Sequence, residues 1–245
     1  MALSRNARAA VVLIAAVAGV ALTVRLGVWQ LARAHEKHAL QAAIETRGAL
    51  PPLETAALAG DAVQAAEQLH RRVRLRGVWD TASTVYLDNR PMNDRPGFYV
   101  LTPLRLDGRA DAVVVQRGWF ARDFHDRTRL QAPPTPAGAV EIEGRIAAAP
   151  ARLLEFAHEA SGPIRQNLDL GEFARETGLR LVPLSVLQVE TPGAPPDGLL
   201  RQWPAPAVDV HRHEGYAFQW FALATLMTGL YVWFQLVRPR LRRPG

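Results

Sequence analysis

No cysteine occurs among the 245 residues, which excludes disulfides, thiolate nucleophiles and thiolate metal sites. Methionine is nearly as scarce, with only Met1, Met92 and Met227. Copper(I) carriers rely on Cys and Met ligands, so the composition argues against copper traffic. The chain also lacks a Gly-x-Ser-x-Gly elbow, a His-Glu-x-x-His helix and a phosphate loop. Asp123, His125 and Asp126 are close in sequence, but neighbours on one loop rarely build a site alone. His35 and His38 stand three apart, a spacing that suits two metal-binding imidazoles or a solvated helix face. No enzyme is expected on these grounds.

A surplus of one charge is missing where a nucleic-acid surface would need it. The net charge is +6, yet residues 32–212 hold 22 Lys+Arg against 22 Asp+Glu. The excess sits at Arg5, Arg8 and Arg25 and at Arg238, Arg240, Arg242 and Arg243, offset only by Glu214. A DNA- or RNA-binding domain carries its surplus on the folded body. Here the arginines flank apolar runs, where they orient helices in a bilayer, and no nucleic-acid partner is expected.

Those apolar runs dominate what is present. Tyr216 to Val237 contains no charged side chain over 22 residues, enough for a helix of about 33 Å that crosses a hydrocarbon core. Ala9 to Val24 is a second uncharged run. With Arg25 snorkelling and Trp29 at headgroup level, a helix over 9–31 also spans. The rival reading is a cleaved signal peptide, because Ala32-Arg33-Ala34 matches A-x-A. That site lies well past the apolar run, which favours an uncleaved anchor. Basic residues at both outer flanks place both termini in the cytoplasm and residues 32–212 across the inner membrane, in the periplasm, with 238–245 as a basic cytoplasmic tail.

The exported segment reads as mainly antiparallel β within an α+β domain. Arg72 to Trp79 and Val140 to Ile146 alternate polar and apolar residues, the period of a half-buried strand. Thr84 to Leu87, Phe98 to Leu101 and Ala112 to Val115 are β-branched or aromatic runs. Asp107-Gly108 signals a hairpin. Short strands at this spacing suggest a meandering antiparallel sheet or a small barrel. Helix is expected over 34–47, continuing the first span, and over 171–177, ended by Gly178. Residues 191–208, rich in Pro and Gly, read as a loop. Glycines inside the strands are expected at bulges or turns, and the strand arginines on a solvated face.

At the outer end of the second span, His213, Tyr216 and Trp220 fall on one side of a helix, at spacings of three and four. A neutral imidazole among aromatic rings suits an axial ligand of haem iron, and equally an interfacial anchor. Trp29, Arg33 and Lys37 stand four apart where the first span leaves the membrane. With these stand Arg76-Gly77-x-Trp79, Asn89-Arg90, Gly97 to Leu104, Arg117-Gly118-Trp119 and His213-x-x-Tyr216-Ala217-x-x-Trp220-Phe221-x-Leu223-Ala224. In that order the set resembles the surfeit-locus-one family, membrane proteins of cytochrome c oxidase assembly.

The resemblance implies an assembly factor for haem-copper oxidase that binds haem a transiently and aids its insertion into the catalytic subunit. Its implied partners are that subunit, the haem a synthesis machinery and the lipid bilayer. His213 is then the iron ligand, Tyr216, Trp220 and Trp29 line the cofactor, and Arg33 or Arg212 meets its propionates. The alternative is a cofactor-free scaffold that stabilises an oxidase subunit, with His213 only an anchor.

Overall fold

A computed structural model describes residues 4–123, 126, 130, 132–150, 162–191, 193, 195–203 and 210–241. His125, Arg242 and Arg243, singled out above, lie outside the described residues, as do the side chains of Arg5 and His211. The described chain forms two compact units: residues 43–205, and a helical unit drawn from residues 1–42 and 206–245.

Helix α1 runs without a break from Arg5 to Ala49, about 67 Å at 1.5 Å per residue. Strand β1 (Leu53–Glu54), α2 (Ala62–Gln68) and β2 (Arg72–Trp79) follow. Next come β3 (Val85–Leu87), β4 (Gly97–Leu106), β5 (Ala112–Ala121), β6 (Ala139–Ala147) and β7 (Ile164–Arg165). Helix α3 (Leu170–Thr177) and β8 (Leu181–Gln188) complete the domain. Helix α4 (Val210–Tyr231) continues through a π-helical stretch, Val232–Val237, into α5 (Arg238–Leu241). By length and composition, two helices among the described residues are apolar enough to cross a membrane, Asn6–Ala49 and Arg212–Val237.

The strands do not form a meander. Strand β2 pairs with β6, β6 with β8, β8 with β5, β5 with β4, and β4 again with β2. Five strands thereby close into a barrel. Only β5 with β8 is parallel among these five contacts. This is the circular order of the five-stranded Greek-key barrel of the OB class, and such a fold assigns no ligand by itself. Strands β1 and β7 add parallel flanks to β2 and β3.

Sequence pattern explains which walls are covered. Strand β2 alternates, sending Val73, Leu75 and Trp79 into the barrel core beside Leu104, Val113, Ile142 and Leu184. Its arginines 72, 74 and 76 face outward. Strand β5 is apolar on both faces: Val113 and Val115 enter the barrel, while Val114 packs outside with Leu87, Leu101 and Phe173 of α3. A continuous Val run therefore marks a strand buried on two sides. Helix α3 starts where Asp169 accepts from the Gly171 and Glu172 amides and ends at Gly178, φ 69°, a residue suited to left-handed backbone.

The solvated-face expectation holds for Arg76 but fails for Arg90 and Arg117, which are 5% and 4% exposed. For Arg117 the cause is a bulge: Val100 faces Gly118 and Leu101 faces Gln116, leaving Arg117 as the extra residue. A bulge re-aims its side chain. Arg117 stacks over Trp79 at 4.6 Å and donates to Thr135 Oγ1 at 2.7 Å and the Pro134 carbonyl at 3.1 Å. Arg90 donates to the Gln166 carbonyl at 2.7 Å, and its own carbonyl accepts from Trp119 Nε1 at 2.7 Å. Both arginines tie loops to the barrel.

Candidate functional site

The site residues expected from sequence lie in the helical unit. Helix α1 and helix α4 pack antiparallel, because Gly19 meets Met227, Gly27 meets Phe221, and Gln30 meets His213. Less exposed positions recur on α1 at 20, 23, 27, 30, 34 and 37 and on α4 at 213, 217, 220, 224, 227 and 231. Alternating steps of three and four define a coiled-coil-like seam. A Cβ on Gly27 would sit 2.8–3.0 Å from the Phe221 ring, and one on Gly19 only 2.3 Å from Met227 Cε. Small residues let the helices approach at these two levels. On the same stripe the Thr23 hydroxyl donates back to the Gly19 and Val20 carbonyls at 2.9 and 3.0 Å, so no polar group is left orphaned in an apolar seam.

His213 stands on the first turns of α4, partly buried. Its Nδ1–H donates to Gln30 Oε1 at 2.7 Å. An amide oxygen only accepts, so Nδ1 carries a proton, and in the neutral tautomer this fixes, the lone pair lies on Nε2. Metal-binding histidines are held in this way, one nitrogen donating to an oriented acceptor and the other presented to the metal. Gln30 carried no role in the sequence reading. It lies 183 positions from His213 and next to Trp29 in sequence.

The remaining candidates divide into those that meet and those that stand apart. Arg33 lies over the Trp29 ring at 6.0 Å and its Nη1 donates to Glu36 at 2.8 Å. Trp29 and Tyr216 are about half exposed, 51% and 47%. Trp220 is on the seam, two turns from His213. Glu214, given no role from sequence, lies 3.3 Å from His38 Nε2 and ties α4 to α1. His38 therefore has a partner of its own. Among the described residues no group of three or more His, Cys, Asp or Glu side chains converges to hold a metal. A single imidazole with an open Nε2 suits a metal that arrives already chelated, such as a metalloporphyrin.

A closed barrel preceded and followed in sequence by long apolar helices, with an oriented imidazole on the helix seam, defines a class of barrel proteins flanked by long apolar helices. Compared with known families, residues 17–225 match the model of the SURF1 family, and the chain belongs to that family. It is 28% identical to Surfeit locus protein 1 of Rattus norvegicus over 244 residues, covering 90% of this chain and 73% of that protein. It is 23% identical to the SURF1-like protein of Rickettsia bellii, covering 86% of this chain and 85% of the relative. Human Surfeit locus protein 1 is 26% identical, with 86% of this chain and 72% of the relative covered.

Proposed function

We propose that this protein is a membrane-bound assembly factor for cytochrome c oxidase that holds haem a transiently and aids its insertion into the catalytic subunit. Membership of the SURF1 family supports the oxidase-assembly role. The observation that carries the haem reading is the His213–Gln30 hydrogen bond, which leaves Nε2 open. Haem a is cargo here rather than a resident cofactor. His213 Nε2 would take the iron, and Trp29, Tyr216 and Trp220 supply aromatic walls. Arg33 meets a propionate by exchanging its exposed partner Glu36, a pair worth under about 1 kcal/mol. Coordination from one neutral imidazole is compatible with release.

Both helices carry large apolar side chains exposed along their length, Val11 to Leu22 on α1 and Leu223 to Leu236 on α4 and its π-helical continuation. Lipid is the solvent that suits them. The basic flanks then put both termini in the cytoplasm and the barrel in the periplasm, beside the inner membrane. The catalytic subunit and the haem a synthesis machinery are the partners in this reading.

Deleting the gene and measuring haem a per oxidase in isolated membranes tests it. Loss of haem a from the oxidase, restored by the wild-type gene and not by His213→Ala, is expected. Restoration by His213→Ala favours the cofactor-free scaffold, and an oxidase unaffected by the deletion overturns both readings. A periplasmic reporter active at the C-terminus would overturn the topology.

A further inference from the structure

The outward face of β2 meets that of β6 in a ladder of charge. Arg76 is opposite Glu141, Arg74 is opposite Glu143, and then Arg72 is opposite Arg145. The middle rung is closed, with Arg74 Nη2 at 3.0 Å from Glu143 Oε1, and the Arg76 rung approaches at 3.9 Å. The last rung repeats one sign. Like charges directly opposite across strands are destabilising, and among the described residues neither Arg72 nor Arg145 makes an ion pair. A local rule broken without compensation in the fold marks a functional position.

This rung lines a cavity of about 640 Å³, within the range of small-molecule sites. Pro52, Val73, Val189 and Trp203 give it apolar walls, and His70 also lines it. The other charges around it are Glu45, Arg74, Glu143 and Arg201. Arg74 is matched by Glu143, and Arg201 by Glu190 and Asp197. The Arg72–Arg145 rung then holds two positive charges against the single carboxylate of Glu45 in the same lining, a positive surplus at that rung. His70 has left-handed backbone, φ 71°, and burial with the nearby Arg145 and Arg47 charges lowers its pKa. The imidazole is thus neutral beside the arginines and does not add to their repulsion.

We infer that this cavity binds a ligand with an apolar body and one oxyanion group, the oxyanion held between the Arg72 and Arg145 guanidiniums and the body against Val189 and Trp203. Two guanidiniums converging on one carboxylate or phosphate give charge-assisted, bidentate hydrogen bonds. The site belongs to the barrel unit, whereas His213 belongs to the helical unit.

Calorimetric titration of the full chain in non-ionic detergent tests the inference. The probes are 1-naphthoate and 1-naphthyl phosphate, with neutral 1-naphthalenemethanol and inorganic phosphate as controls. At least one anionic naphthyl probe should bind about tenfold more tightly than either control, and which one binds distinguishes carboxylate from phosphate. Arg145→Glu should abolish that preference while raising the thermal midpoint of the free protein, because it completes the ladder. Arg145→Gln, which leaves an uncharged rung, should lose the preference too and serves if the Glu variant does not fold. Equal binding of the anionic and neutral probes, or a preference that survives both substitutions, overturns the inference.

Discussion

Gly77 is the residue on which barrel closure depends, and Gly77→Ala is the perturbation that exposes it. At this position β2 faces Val140 of β6 on one side and Leu106 of β4 on the other. A Cβ there would lie 2.2 Å from the Arg105 carbonyl oxygen and 3.0 Å from its carbon. Both contacts are backbone, so no side chain can swing away. The strands must separate by roughly 1 Å to restore van der Waals contact, which stretches an ordinary 2.9 Å hydrogen bond beyond its range. The β2–β4 contact spans only Gly77↔Leu106, Val78↔Arg105 and Trp79↔Leu104, so the whole contact opens. Losing two or three hydrogen bonds at about 1 kcal/mol each, with some packing of Leu104 and Trp79, costs about 3 kcal/mol. That is a large fraction of the 5–15 kcal/mol typical of a domain, and for a chain of this size lowers Tm by about 6–12 °C. Near-UV circular dichroism of the detergent-purified protein, followed through thermal unfolding, reads this directly. Gly138→Ala is the control, since nothing lies within 4 Å of its added Cβ. If the two variants melt together, the close approach at Gly77 does not hold the barrel shut.

Three further predictions concern the site and its supports. Gln30→Leu removes the acceptor that orients His213 and should weaken haem affinity about 10–100-fold in a spectrophotometric titration, with the helix pair still formed. Gly27→Leu drives a side chain into the Phe221 ring and should weaken the packing of α1 on α4, read as loss of cross-linking between cysteines introduced at Gln30 and His213. His70 has a folded-state pKa below its unfolded value near 6.5, so the unfolded chain takes up its proton first as pH falls. Stability should therefore be level above about pH 6.5 and decline below it. His70→Asn, which tolerates the left-handed backbone and does not titrate, should flatten that part of the profile in chemical denaturation.

Much of the architecture was legible because it is written in local periodicity. The uncharged runs gave both long helices, and the strict alternation of Arg72 to Trp79 gave a strand with one wet face. What was not legible depends on distant partners. Strand β8 carries Pro183, a residue that argues against a central strand. In the structure the register with β5 shifts between Ala112↔Leu181 and Val114↔Ser185, so the proline sits at an irregularity where its missing N–H is tolerated. The parallel β5–β8 pair, and with it barrel closure, cannot be read from strand patterns one at a time. Arg117 looked like a surface arginine because a bulge is a property of two strands. At the site, helical spacing brought His213, Tyr216 and Trp220 onto one side, but Gln30 is joined to His213 only through packing of helices far apart in sequence.

The central claim is that His213 presents Nε2 to the iron of haem a. Its most direct test is the visible absorption spectrum of protein purified in detergent from cells able to make haem a. A haem a spectrum in the wild-type protein that disappears in His213→Ala, with the helix content of the two unchanged, is predicted. A wild-type protein without haem, or a variant whose spectrum matches the wild type, would contradict it.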